Sequence, residues 1–293
     1  MNKTELSEFS NQYPTLTVRV PKATGLKLFI KSVLARAYPR MIGQQREKSW
    51  VFFEIFLPML AVSAYVFVYR AIQAPEEYVG FVVIGGAMTA YWMNVLWSMS
   101  SQLYWEKETG NLALYIMAPN SLVSVLLGMA VGGLFASTLR ATAIILLGSL
   151  LFKVSFAVVS FAQLFAVFVL SMVALYGMGM LFASLFLLLG REAWHLSNLA
   201  QEPVYLASGF YFPIKSFNYW VALAASIIPL TLGLDAMRQL AFPSGASLGF
   251  LSVRVEILFL VVLSIIFVGS AFYMLSYMER LAIREGRVTE SRR

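Results

Sequence analysis

The chain has 293 residues, 59% of them hydrophobic and 13% charged, with a net charge of +7 and a mean hydropathy of +0.74. Soluble domains run at about 45–50% apolar and about a quarter charged, so these figures exclude a soluble enzyme, a coiled coil and a disordered chain. An all-α integral membrane protein remains, because six crossings of about 20 residues each fit well within the apolar supply.

Residues 1–25 mix Ser, Asn, Gln, Pro and charges without periodicity and are expected to form a cytoplasmic tail. The first 48 residues carry no apolar core followed by a small-residue cleavage site, so no signal peptide is expected. Residues 26–48 turn helical in pattern. Leu26, Phe29, Ile30, Val33, Leu34, Ala37 and Met41 recur at three- and four-residue spacing, with Lys27, Lys31, Arg36 and Arg40 on the other face. That spacing predicts an interfacial amphipathic helix, apolar side in the acyl region and cations among headgroups.

Residues 49–278 read as a transmembrane domain, with spans predicted at 50–69, 79–103, 122–152, 156–189, 194–212 and 255–277. The third and fourth exceed what a bilayer needs and must tilt, kink or project. A further run, 217–234, is apolar enough to count as a seventh. Charge decides the parity. Nine Lys and Arg precede Trp50 and five follow Tyr277, which places both termini in the cytoplasm and demands an even number of crossings. The run is therefore expected to be an extracellular re-entrant or surface hairpin, about 214–243, broken at Pro229 and sheltered by protein or a wet cavity. Residues 279–293 form a second basic cytoplasmic tail.

Cysteine is absent and His195 is the single histidine, which removes disulfides, thiolate metal sites and multi-histidine clusters. A serine–histidine hydrolase lacks its G-x-S-x-G element. No G-x-x-x-x-G-K-[ST] loop occurs and no Gly directly precedes Lys, so no ATP site of that kind and no cofactor is expected in this chain. No inverted duplication of the sort common in secondary transporters stands out.

Two segments carry polar groups at membrane depth or its edge. The cytoplasmic connection 104–121 reads YWEKETGNLALYIMAPNS, charges followed by an amphipathic turn and Pro119. Its acidic start suits a helix N-terminus, giving a short surface helix over about 105–120. The segment 209–242 closes a span at Phe212 and Pro213 and continues with Pro229, Thr231, Asp235 and Arg238. Asp235 and Arg238 are three apart and on a helix face each other.

These two segments, their order and the six-span layout resemble the type-2 permease subunits of ABC exporters, which move drugs, antibiotics, lipids and polysaccharides. The resemblance rests on Glu106, Lys107, Glu108, Gly110, Asn111, Leu112, Pro119 and Ser121, and on Ser208, Gly209, Phe210, Phe212, Pro213, Pro229, Leu230, Thr231, Asp235 and Arg238. One departure is Asn111-Leu112-Ala113, where the family usually has Thr-Leu-Glu. The resemblance implies that Glu106, Lys107, Glu108, Gly110, Asn111, Leu112 and Pro119 form a coupling helix seated in separate ATPase subunits. It also implies that the hairpin caps the exit path. Two ATPases holding ATP and Mg, and a second permease copy or related chain, would complete the transporter in the cell membrane. The cargo would be amphiphilic, with no nucleic acid involved.

Ionisable groups inside spans are functional candidates. Glu54 lies near the cytoplasmic interface and Arg140 toward the outer end of its helix, each within snorkelling reach. Glu202 is roughly 12 Å deep at 1.5 Å per residue and precedes Pro203, so it faces a neighbouring helix or a wet cavity. With Tyr205, Gly209, Phe210, Tyr211, Phe212, Pro213, Pro229, Asp235 and Arg238 it makes up the expected translocation path or extracellular gate. Gly128 and Gly132 permit close helix approach. An ATP-independent secondary transporter or channel, and a membrane enzyme acting on lipids, stand as alternatives from other classes.

Overall fold

The computed structural model describes residues 25–118, 121–189, 192–242 and 245–285; it is 85% helical, and no strand occurs among them. Helix α1 spans Leu26–Arg46 and α2 Lys48–Ala71. The long α3, Glu77–Glu108, is α-helical to Met93, π-helical over Asn94–Ser100 and α-helical again from Gln102. A short α4, Asn111–Met117, follows, then α5, Leu122–Phe152, α6, Phe161–Leu189, and α7, Glu192–Ala207. Two short helices, α8 (Tyr219–Ala225) and α9 (Pro229–Ala241), bend by 109° at their junction. After the four-residue α10, Gly245–Leu248, the chain ends on α11, Val253–Glu285.

Five helices (α2, α3, α5, α6 and α11) are long and apolar enough to cross a bilayer alone. Helix α3 is the central one: 94% of its apolar window is buried, against 17% in α2 and 22% in α11. α5 and α6 flank it, and α6 also packs along α11. At 31 residues, α5 rises about 46 Å, more than the roughly 30 Å hydrocarbon layer, so it projects as its length requires.

Two sequence expectations shift at their edges. α6 begins at Phe161 rather than 156, because Ala157 and Val159 run past α9 and donate their N–H groups to Ala241 O (3.0 Å) and Leu240 O (2.9 Å). Those carbonyls lie in the last turn of α9, where no helical donor reaches them. α7 stops at Ala207, not 212, since Gly209 adopts φ +65° and reverses the chain. The break expected at Pro229 is present: α8 ends at Ala225 and α9 starts at Pro229, in the first turn, where a missing N–H costs nothing.

The ends of α8 and α9 settle the hairpin. Arg238 on α9 binds the Gly209–Phe212 turn that precedes α8, and the end of α9 binds the strand-like entry to α6. The bent pair therefore enters and leaves at one end of the bundle, the end where Arg70 also donates to Phe152 O at 3.0 Å. α1 and α4 lie at the opposite end, near Glu106.

Helix α1 departs from a simple amphipathic arrangement. Its exposed stripe is Leu26, Ile30, Leu34 and Tyr38, whereas Ala37 is buried and Arg36 and Arg40 turn inward with Phe29 and Val33. The reason is α5: a Cβ on Gly128 would sit 2.6 Å from Val33 O and one on Gly132 2.9 Å from Ala37 O. Backbones at that approach exclude larger side chains. Gly128→Leu is expected to lift α1 from α5, read as faster amide hydrogen exchange over residues 29–44. Unchanged exchange there would refute the packing role.

Candidate functional site

At the α1/α4 end, the chain turns at Gly110, whose φ of +76° falls in the left-handed region that glycine favours. This turn separates the acidic cluster from the short helix. Glu106, Lys107 and Glu108 close α3, and α4 begins only at Asn111, so the acids do not cap the N-terminus of the surface helix as the sequence suggested. Glu106 instead is buried and accepts three side chains: Arg36 at 2.7 Å, Gln102 at 2.7 Å and the Tyr115 hydroxyl at 3.4 Å. The Arg36 guanidinium also lies over the Tyr115 ring, 5.4 Å from its centroid.

One carboxylate thus ties α1, α3 and α4 into a single knot. Burial, with the Glu106 carboxylate adding to it, raises the Tyr115 hydroxyl above its ordinary pKa against the opposing pull of the Arg36 cation. Burial, and secondly the neighbouring Arg36, lower Arg40 to about 10, still well above neutral pH, so the knot keeps its cations. Arg40 donates to Ser98, and Gln44 donates to Ser98 at 3.3 Å, which anchors α1 on the π-helical segment of α3. Leu112 is buried under α4; Glu108, Asn111, Leu114 and Met117 are exposed and Lys107 half-buried. Pro119 lies outside the described residues. Leu114 and Met117 leave an apolar face of this short helix uncovered, and the sequence could not show it because amphipathic spacing alone does not say which side a neighbour covers.

A cavity of about 1090 Å³ opens between α2, α3 and α7. Trp50, Phe53, Tyr65, Trp97, Trp105, Tyr205, Tyr211 and Phe212 supply its aromatic lining, and Asn94, Gln201, Glu202, Glu54 and Arg140 its polar groups. Glu54 and Arg140, each expected to snorkel independently, form an ion pair of 2.7 Å across α2 and α5. Trp97 donates to Gln201 at 2.8 Å and Gln201 to Glu202 at 3.3 Å, joining α3 to α7. Tyr65 and Tyr211 stack at 4.4 Å between centroids and 10° between planes.

The residues expected to line a path divide into two groups. Glu202, Tyr205, Tyr211 and Phe212 face the cavity. Gly209, Phe210, Pro213, Pro229, Asp235 and Arg238 lie behind it as a rigid frame. Phe210, Pro213 and Pro229 are buried, and Arg238 sits at the centre. Its guanidinium donates to the carbonyls of Gly209 (2.7 Å), Phe212 (3.2 Å), Phe210 (2.7 Å) and Phe81 (3.0 Å), lying 5.4 Å from the centroid of the Phe81 ring.

Asp235 does not pair with Arg238 as their spacing suggested. Its Oδ2 accepts Phe250 N at 2.7 Å and the Gln239 amide at 3.2 Å, and that amide also reaches Glu256 at 3.2 Å and Leu251 O at 2.8 Å. The turn carbonyls outcompete the carboxylate for Arg238 because reversal at Gly209 aims them all at one point. Gly85 on α3 completes the frame, since any Cβ there would strike the Phe210 carbonyl. His195 is exposed, and no group of three potential metal ligands occurs among the described residues.

The sequence profile of ABC-2 type transporters matches residues 30–242. The chain belongs to the ABC-2 type transporter family. The match begins inside α1 and ends at the close of α9, so it takes in the knot, the cavity walls and the frame around Arg238. Comparison with individually characterised proteins returned no match. As a member of this family the chain is a multi-pass transmembrane permease subunit of an ABC transporter, not itself an ATPase, and the family works with ABC ATPase subunits.

Proposed function

We propose that this permease is the membrane half of an ATP-driven exporter, seating α4 in a groove of an ATPase and moving an amphiphilic cargo along the α2/α3/α7 cavity. The observation that supports it most is the Glu106 knot. It holds the exposed Leu114 and Met117 at one end of α3, while Trp97 on the same helix lines the cavity. A push on α4 reaches the cavity through one helix and one buried carboxylate, with the π-helical segment between them, a geometry that recurs at functional sites in other helices.

On this reading the α1/α4 end and both termini are cytoplasmic, in agreement with the basic ends, in a cell or inner membrane. Two ATPases hold ATP and Mg. A second permease copy or a related chain faces the first, and the α8/α9 hairpin closes the outer side. The cargo is a drug, a lipid or a lipid-linked glycan released from the cytoplasm or inner leaflet.

The test is to purify the tagged permease in mild detergent and ask which ATPase follows it and what stimulates hydrolysis. Leu114→Glu together with Met117→Glu is expected to lose at least roughly tenfold in ATPase capture, since two charges must be desolvated in the groove, with unchanged expression. A complex that survives both substitutions would rule out docking through α4.

A further inference from the structure

We infer that the cavity selects a cationic head group carried on an apolar body, such as an alkylammonium or phosphonium amphiphile; this rests on the reading of the cavity as the cargo path. The charges around this half-open cavity do not balance. The lining holds two carboxylates, Glu54 and Glu202, against one guanidinium, Arg140. Arg140 is consumed by Glu54 at 2.7 Å, which leaves Glu202 with no cation among the described residues. Its contact is the Gln201 amide at 3.3 Å, and that amide's oxygen is already held by Trp97 at 2.8 Å.

The surroundings of Glu202 are aromatic. Tyr205 and Tyr211 are close enough to feel its charge, and Trp97, Tyr65 and Phe212 line the same volume. Ring faces attract cations and repel anions, and Glu202 presents an exposed carboxylate to the same opening. The two effects point to one ligand charge. An anionic head group would meet a net negative wall with its one cation already paired. A neutral sugar would find stacking faces but would leave the carboxylate charge uncompensated. At about 1090 Å³ the cavity holds a drug-sized amphiphile rather than a small ion.

The test uses the purified full chain in phosphatidylcholine nanodiscs and equilibrium binding of tetraphenylphosphonium, with a neutral alkyl glucoside as the comparison. The wild type is expected to bind the phosphonium saturably and more tightly than the glucoside. Glu202→Gln should weaken phosphonium binding by about tenfold or more while leaving the glucoside unaffected. Glu202→Asp, which keeps the charge, should remain within about threefold of the wild type and shows that loss in the Gln variant is not misfolding. Equal phosphonium affinity in wild type and Glu202→Gln overturns the inference, as does tighter binding of the glucoside than of the phosphonium. Either result leaves the exporter reading standing, because that reading fails separately, if no ATPase accompanies the chain.

Discussion

Arg238→Met is expected to lower the thermal unfolding midpoint of the purified permease by roughly 10 °C, corresponding to about 3–5 kcal/mol. The guanidinium is 2% exposed and is the donor for four carbonyls from two different segments. Methionine fills the volume but donates nothing, so those carbonyls lose their shared donor, at a net of about 1 kcal/mol each. Arg238→Lys should fall between, because one ammonium cannot reproduce a planar fork aimed at four oxygens. The consequence extends beyond stability. The Gly209–Phe212 turn carries Tyr211 and Phe212 into the cavity, so the Lys variant, if folded, should transport poorly. Melting within about 2 °C of wild type for the Met variant would show that the turn holds without its donor.

Glu106→Ala is expected to abolish most stimulation of the partner ATPase, roughly tenfold or more, whereas Glu108→Ala changes it little. The difference follows from placement. Glu108 is exposed, but Glu106 is buried under Arg36, Gln102 and Tyr115. Removing it leaves Arg36, itself 29% exposed, facing a void, and frees α4 from α1. A positioning role is separated from general damage by a charge swap. Arg36→Glu combined with Glu106→Arg should recover part of the lost coupling, because the pair reforms in reverse. A result in which Glu108→Ala is the damaging change, or in which the swap is worse than either single variant, would sink the knot as the coupling element.

How far the sequence reached depended on the range of the interaction concerned. The apolar runs at α2, α3, α5, α6 and α11 were readable because a membrane span is a local property, about 20 apolar residues in succession. The expectation from the basic ends that 217–234 is no straight span agrees with the bent α8/α9 pair, which the structure folds by 109°. Glu202 could be singled out because an acid before Pro203 in an apolar run has few inexpensive environments. Partners could not be read. Glu54 and Arg140 are 86 positions apart, and Arg36 and Glu106 are 70 apart, so nothing local connects them. The expected Asp235–Arg238 pair shows the opposite failure: local spacing permitted it, and a tertiary turn took the arginine away.

Composition thus determined the class and five of the apolar helices, since hydrophobicity acts on each segment separately in a bilayer. Only the tertiary structure decided which acid is buried, which helix face stays open for a partner and which charges cancel inside the cavity. Those outcomes depend on how closely backbones approach, as Gly128 allows between α1 and α5 and Gly85 between α3 and the Phe210 turn. They depend equally on where donors and acceptors converge in a medium without water to satisfy them. The net charge of +7 is a property of the sequence; which of the charges lining the cavity is left uncancelled, the one at Glu202, belongs to packing.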